Sequence, residues 1–373
     1  MKLKLSFNNI KYIDKTLLFC VLALSLLGLI FLYSASNYSA LNEHGDAFYY
    51  VKKQAVGLAV GLAGMFFACV LSDDFFKKLA FPLLIVSFAL LGLVFVPVIG
   101  IENYGARRWI GIGSFSFQPS EIAKFAFVLF CAYYMSKEKV NTSRFLHNLP
   151  VAGAGLAICL LIILEPNMSI TVCVALVMVV MLFIGGMRLK HFILSLLPIV
   201  AAVPVLIIME PYRIQRLLAF LDPFASPKEE GYQLVQSLYA LGSGGWFGVG
   251  IGNSRQKYLF LPFAESDFIF SVIGEETGLV GCALVMALFL ILIIKGVKIA
   301  INSYSRFHCL LASGITAVIA IQTLVNLAVV TGSIPPTGLP LPFISYGGTS
   351  LVVFMTAAGV LLNISGKQKS RLT

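Results

Sequence analysis

Four acids and two cations share one stretch of this chain, RQKYLFLPFAESDFIFSVIGEETGLVG, from Arg255 to Gly281. A polar, basic loop ends there, and the spacing predicts an apolar helix that begins at Asp267 and carries Glu275 and Glu276. An acid inside hydrocarbon costs roughly 2.5–3.5 kcal/mol even on lenient insertion scales, so such groups mark chemistry or transport. At 3.6 residues per turn, Glu275 falls roughly 80° from Asp267 around the helix and Glu276 roughly 180°, both about 12–13 Å deeper. They cannot form a close carboxylate pair with Asp267, which disfavours a paired-acid mechanism of the glycosidase type. Asp267 at the water interface is the candidate general base, because it meets both solvent and a membrane-borne substrate. Its structural alternative is a helix N-cap in Ser266-Asp267. For Glu275 and Glu276 the alternative is a buried ion pair with Lys124 or an arginine.

Cations that suit an anionic group occur in the same region. In PYRIQRLLAFLDPF, Arg213 and Arg216 are spaced i,i+3 on one helix face, and Leu217, Leu218 and Phe220 predict a short helix at the membrane surface. The run that follows has glycines at 242, 244, 245, 248, 250 and 252, and then Arg255 and Lys257. Backbone donors beside Arg and Lys suit a phosphate or pyrophosphate; the plainer reading is contact with lipid headgroups. Nearer the N-terminus, IENYGARRWIGIGSFSFQPSEIAK places Arg107, Arg108 and Trp109 at the interface. A lone interfacial Trp also serves as an aromatic-belt anchor. Glu121 and Lys124 lie i,i+3 on one face and are close enough to pair. Finally, SIPPTGLPLPFISYGGTS, from Ser333 to Ser350 and including Ser345, has four prolines and three glycines. It cannot be regular helix. Non-helical backbone at membrane depth survives only where protein or a watery cavity covers it, so this segment should line a cavity.

The elements that position these residues follow from hydropathy. The chain is 59% hydrophobic and 12% charged, with mean hydropathy +0.92; soluble domains are about 25% charged. Apolar runs predict spans near 16–35, 55–71, 79–99, 121–136, 149–164, 169–186, 192–209, 267–294, 308–331 and 349–365. The expected fold is an all-α integral membrane protein: one polytopic domain over 1–373, with about ten transmembrane helices. A long extracytoplasmic loop, 210–266, joins spans seven and eight. Lys2, Lys4, Lys11, Lys15, Lys77, Lys78, Lys137, Lys139, Arg144, Arg188, Lys190, Lys295, Lys298, Arg306, Lys367, Lys369 and Arg371 fall on one side. The short connections opposite hold only Lys52, Lys53, Arg107 and Arg108. The positive-inside rule therefore puts both termini in the cytoplasm. The net charge of +10 comes as small clusters between spans, a pattern of membrane topology and anionic lipids and not of nucleic acid. The seven cysteines lie in or beside apolar runs without a CxxC pair, and the four histidines are scattered. No cofactor is indicated. A divalent cation is compatible with a pyrophosphate, but no DxD or His cluster supplies its ligand motif, and the simplest reading is a basic site in place of a metal.

Five extended motifs then carry a resemblance. GARRWIGIGSFSFQPSEIAK, YRIQRLLAFLDPF, GYQLVQSLYALGSGG, DFIFSVIGEETGLVG and PPTGLPLPFISYGGTS are similar, in order, to those of the SEDS family (shape, elongation, division and sporulation), whose members include FtsW, RodA and SpoVE. SRQKYLFLP and GSGGWFGVG look most like the FtsW/SpoVE branch. The resemblance implies an inverting peptidoglycan glycosyltransferase. It would polymerise lipid II at the outer face of the bacterial cytoplasmic membrane, with a class B penicillin-binding protein and other division or elongation proteins as partners. The family's essential aspartate falls on Asp267, its motif arginine and tryptophan on Arg108 and Trp109, and its PSE…K pair on Glu121 and Lys124. Asp267 would deprotonate the acceptor hydroxyl, while Arg213, Arg216, Arg255 and Lys257 stabilise the leaving pyrophosphate. Trp109 and the Ser333–Ser350 segment would hold lipid or sugar. Two positions depart from the pattern. The turn after span five reads Glu165-Pro166-Asn167-Met168-Ser169 in place of Pro-Asp, a small residue and Thr. Pro262 is followed by Phe263, with Glu265 displaced from the usual Pro-Glu. Two other readings use the same residues: a lipid II flippase with an intramembrane path through Lys124, Glu275 and Glu276, and a non-catalytic scaffold for the transpeptidase.

Overall fold

The computed structural model describes residues 7–103, 106–112, 115–208, 211–225, 231–258 and 260–370. After a 3-10 turn (Phe7–Tyr12) come α1 (Lys15–His44), α2 (Tyr49–Val70) and α3 (Asp73–Leu93). Next are β1 (Gly100–Asn103), β2 (Ala106–Ile112), β3 (Phe115–Phe117), α4 (Pro119–Met135), α5 (Phe145–Leu164), α6 (Met168–Ile184) and α7 (Leu189–Ile208). The chain ends with α8 (Pro211–Leu221), α9 (Tyr232–Gly244), α10 (Ile269–Ile301), α11 (Arg306–Val330) and α12 (Gly348–Ser370). Among the described residues, α1, α2, α3, α5, α10, α11 and α12 are long and apolar enough to cross a membrane, and α6 is apolar but shorter. With α4 and α7, a helix stands at each of the ten predicted spans. The molecule is a multi-pass, all-α membrane bundle.

Local chemistry sets the helix ends. The Asp14 carboxylate caps α1, accepting from the Thr16 and Leu17 amides at 3.0 Å each. Gly45 closes α1 in the left-handed region (φ 69°), with its N–H on the Leu41 carbonyl. Pro119 opens α4. Asn167, where the family pattern has Asp, caps α6 by accepting from the Ile170 amide at 3.3 Å; a neutral amide does this as an acid would.

Three expectations are corrected. The 36–54 segment, expected as the connection between the spans near 16–35 and 55–71, is helical except for residues 45–48, because polar side chains mark a membrane boundary and do not stop a helix. The 100–120 connection contains an antiparallel sheet in the order β1-β2-β3, with Ile101 opposite Trp109 and Ile110 opposite Phe117. Strands this short show too little alternation to be read from sequence. The glycine-rich part of the 210–266 loop is not all irregular: residues 232–244 form α9, whose Leu234, Val235, Ser237 and Ala240 are buried. That apolar face outweighs the helix penalty of Gly242 and Gly244.

Close approach organises the packing. On α2, a Cβ at Gly57 would stand 3.2 Å from the Gly348 Cα, and one at Gly61 would stand 2.7 Å from Met355 Sδ, so this small-residue face admits α12. On α10 the helix breaks at Gly278 (φ 66°, ψ −164°). The freed backbone groups are taken up by the glycine loop after α9: Val249 and Gly250 N–H donate to the Glu275 and Glu276 carbonyls at 2.9 and 3.0 Å. In return, Leu279 and Val280 N–H donate to the Gly245 and Trp246 carbonyls. A Cβ at Gly248 (φ +78°) would lie 2.2 Å from the Glu276 carbonyl oxygen. Gly252 (φ +85°) has nothing within 4 Å of its Cβ position.

Gly248→Ala should therefore combine left-handed strain with a backbone clash and lose roughly 2–4 kcal/mol. Gly252→Ala should lose only the strain, roughly 1–2 kcal/mol. Thermal unfolding of the two variants in detergent distinguishes them, and equal losses would contradict the interlocked geometry.

Candidate functional site

Asp267 stands in the turn just before α10, not inside the helix as the spacing predicts. The N-cap position is Phe268, with no side-chain cap, so Asp267 does not serve as a cap. The turn runs from Phe263 (φ 57°), whose carbonyl accepts from the Ser266 and Phe268 amides. Three successive carbonyls in this turn are pinned, two from the opposite wall and one from α11. Tyr346 N–H donates to the Glu265 carbonyl at 2.9 Å. Ser345 Oγ donates to that of Ser266 at 2.6 Å, and Asn326 Nδ2 to that of Asp267 at 2.8 Å. The carboxylate itself faces Gly338 (φ +70°), where a Cβ would lie 3.2 Å from Asp267 Oδ2. Only glycine lets the backbone come this close without strain.

The opposite wall is the proline-rich 333–347 segment, and buried amide side chains hold it. On α11, Asn326 Nδ2 also donates to the Leu339 carbonyl at 2.7 Å, and Gln322 Nε2 donates to that of Pro340 at 2.9 Å. On α2, Gln54 Nε2 donates to the Ser345 carbonyl at 3.0 Å, and its Oε1 accepts from Gly347 N–H at 3.1 Å. Ser345 Oγ accepts from the Leu341 amide. Ser345 is buried and ties this segment to the Asp267 turn; its hydroxyl is committed there. Behind the wall, Lys124 and Glu121 form an ion pair at 2.9 Å that is buried completely, and Lys124 also donates to Gln322 Oε1. Their contact with the site runs through Gln322.

The cations separate into two groups. Arg108 on β2 donates Nε to the Glu165 carbonyl at 3.3 Å and Nη2 to that of Pro166. Strand alternation puts its neighbour Trp109, half-buried, on the other face of the sheet. Arg216 on α8 is exposed. The charges of Arg108 and Arg216 both act on Asp267. Arg213 lies on the same helix, but its side chain is outside the described residues. Arg255 and Lys257 belong elsewhere: Lys257 is buried and donates to the Gly252 carbonyl of its own loop.

Among the described residues, Glu275 and Glu276 pair with neither Lys124 nor an arginine. Glu275 accepts from Ser254 Oγ, from Arg255 N–H at 3.0 Å and from Gln256 N–H at 3.4 Å. Glu276 accepts from Ser34 Oγ and from Ser254 N–H at 3.3 Å. Backbone amides and hydroxyls stabilise buried carboxylates as cations would, and here they fasten residues 254–256 to the helix break.

Burial raises the Asp267 pKa to about 6; Glu265 adds to the rise, and Arg216 and Arg108 oppose it. Burial likewise raises Glu265 and carries Tyr346 to about 12. The result is a half-buried carboxylate that is ionised at neutral pH yet basic enough to take a proton, with two guanidinium charges in reach. Among the described residues, no three His, Cys, Asp or Glu side chains group as metal ligands. Sequence reasoning missed Asn326, Gln322, Gln54 and Gly338. A polar pair at i,i+4 inside apolar α11 is the signal that would have found the first two.

Asn326→Ala should leave two buried carbonyls unpaired and lose roughly 2–4 kcal/mol of stability. Activity should fall with it although no reacting group is removed. Thermal unfolding and turnover of one preparation test this; an unchanged melting temperature would contradict the pinning role.

Comparison with known proteins places this geometry. The family model described as cell cycle protein, covering FtsW, RodA and SpoVE, matches residues 14–370. The chain is 38% identical over 353 residues to stage V sporulation protein E of Bacillus subtilis, covering 94% of this chain and 96% of that protein. It is 39% identical over 370 residues to the probable peptidoglycan glycosyltransferase FtsW of Geobacter sulfurreducens, covering 99% of both. Among solved structures, it superposes on a chain from work described as "Structural coordination of polymerization and crosslinking by a peptidoglycan synthase complex". That match has TM-score 0.80 and 30% identity over 95% of this chain and 98% of the other. The rod shape determining protein RodA of Thermus thermophilus matches with TM-score 0.69 and 29% identity over 95% and 96% of the two chains. With the family model spanning nearly every residue and the fold shared with RodA, the chain belongs to the FtsW/RodA/SpoVE family of membrane proteins.

Proposed function

We propose that this protein is an inverting peptidoglycan glycosyltransferase that polymerises lipid II, with Asp267 as its general base. Relatives named as peptidoglycan glycosyltransferases match it over nearly the whole chain, which supports the activity. The observation that carries the residue assignment is the placement of Asp267. Its carboxylate is half-buried, its pKa is raised to about 6, its backbone is pinned, and Arg108 and Arg216 act on it. The acceptor sugar hydroxyl gives its proton to Asp267 and its oxygen attacks the anomeric carbon of the lipid-linked donor. The C–O bond to the pyrophosphate breaks with inversion. Arg108 and Arg216 stabilise the charge that grows on the departing pyrophosphate. The geometry favours these two over Arg255 and Lys257, whose loop is fastened to Glu275. Trp109 and the 333–347 wall bound the space for sugar and lipid.

The positive-inside pattern supports an orientation with both termini in the cytoplasm and Asp267 at the outer face. A class B penicillin-binding protein is the partner in this reading, which is supported by the likeness to a chain of a peptidoglycan synthase complex. A flippase path through Lys124, Glu275 and Glu276 finds less support, because each of the three is engaged by fixed partners.

Asp267→Asn should lower polymerisation of lipid II by roughly 10²–10⁴-fold. For the wild type, the rate should rise as pH passes through about 6, where Asp267 ionises. Glycan-chain assays of the purified protein with its transpeptidase, across pH, decide this; normal polymerisation by the variant would sink the assignment. Stability should move the other way. The raised pKa means that ionising Asp267 costs stability, a cost absent below the ordinary value of 3.8, growing up to about 6 and constant above. Asp267→Asn should therefore melt higher than wild type at pH 7, with the gap closing toward pH 4.

A further inference from the structure

Glu165 is a buried acid that the proposed reaction does not use. It follows α5 directly, is 1% exposed, and neither carboxyl oxygen has a hydrogen-bond partner among the described residues. Buried polar groups without partners are rare, and each calls for a physical account. Burial lifts its pKa to about 8 against the pull of Arg108. The backbone carbonyl of this same residue, with that of Pro166, receives the Arg108 guanidinium. Arg108 acts in turn on Asp267. One guanidinium thus acts on two acids, and its hydrogen bonds include those to two neutral carbonyls.

We propose that Glu165 is a positioning residue that decides where Arg108 stands. Protonated, it leaves the guanidinium on the 165 and 166 carbonyls, within reach of a pyrophosphate beside Asp267. Ionised, it takes the guanidinium as its own partner and withdraws one of the two cations from the site. The direction follows from bond strength: a guanidinium–carboxylate fork is roughly twice as strong as contacts to neutral carbonyls. A carboxylate that has lost its proton in a buried place needs a cation or hydrogen-bond donors, and the Glu165 carboxyl has no donor among the described residues. The charges that bear on the pair are few. Among the described residues, Arg108 comes from β2, and Glu265 and Arg216 act with it on Asp267. Glu121 and Lys124 on α4 hold one another, and α6 opens with uncharged Asn167. Asp267 titrates lower, so it is already ionised where Glu165 changes state.

The inference rests on the reading of Arg108 and Arg216 as the leaving-group site, and its test separates the two. Binding of undecaprenyl pyrophosphate to the full-length protein in detergent is measured at pH 7 and pH 9, for wild type and for Glu165→Gln. The expected result is wild-type affinity about tenfold weaker at pH 9, the scale of one charge-assisted contact. Glu165→Gln, which cannot ionise, should keep the same affinity at both pH values. A wild type that binds equally well at both, or a glutamine variant that weakens as wild type does, overturns the role of Glu165 alone. A wild type that fails to bind at pH 7 overturns the leaving-group site and this inference with it. Glu165→Met is a second uncharged variant. If neither variant folds, the carboxyl is needed for packing and the proposal falls.

Discussion

Backbone inside an apolar bundle must find hydrogen-bond partners within the protein, and this constraint shapes the whole molecule. Two stretches leave regular helix at depth: the break at Gly278 with its glycine loop, and the proline-rich segment 333–347. The first is satisfied by backbone, since residues 245–250 pair with the groups that Gly278 frees. The second is satisfied by side chains, because its prolines supply carbonyls but no donors. Gln54, Gln322 and Asn326 provide the missing donors. Each is at most 1% exposed. They are dear to bury alone and stable once paired.

The site inherits its precision from that arrangement. Asn326 bonds the wall at Leu339 and the Asp267 carbonyl together, so the aspartate and the surface it faces move as one. Ser345 and Tyr346 extend the tie to the two preceding carbonyls. The ion pair of Glu121 and Lys124 stands one layer further back, where it orients Gln322. Removing one partner of a pair this deep leaves an uncompensated charge, so its loss would disturb the wall before it touched the reaction. The polar groups form a continuous chain from α4 through α11 to Asp267.

Electrostatics then divides work among charges that look alike in sequence. Asp267, Glu275 and Glu276 are all acids in one apolar region, yet their surroundings give them different uses. Asp267 receives no side-chain cap role and keeps a basic carboxylate near two guanidinium groups. Glu275 and Glu276 are covered by hydroxyl and amide donors that fix a loop. Arg108 and Arg216 come from elements far apart in the chain, whereas Arg255 and Lys257, close to Asp267 in sequence, are held by a separate structure.

Composition and periodicity by themselves placed a helix at each of the ten predicted spans, since burying apolar side chains in lipid requires runs of about that length. They also located the irregular segment, because four prolines cannot lie in a helix, and they made Asp267 the candidate base, although it stands in the turn before the helix and not inside it. The motif order carried the family. Tertiary structure alone decided the partners. Which donors reach Glu275, which cations act on Asp267, and that Asn326 and Gly338 meet it depend on contacts between residues tens to hundreds of positions apart. Hydropathy is a property of each stretch taken alone, whereas a hydrogen bond depends on where two distant stretches meet.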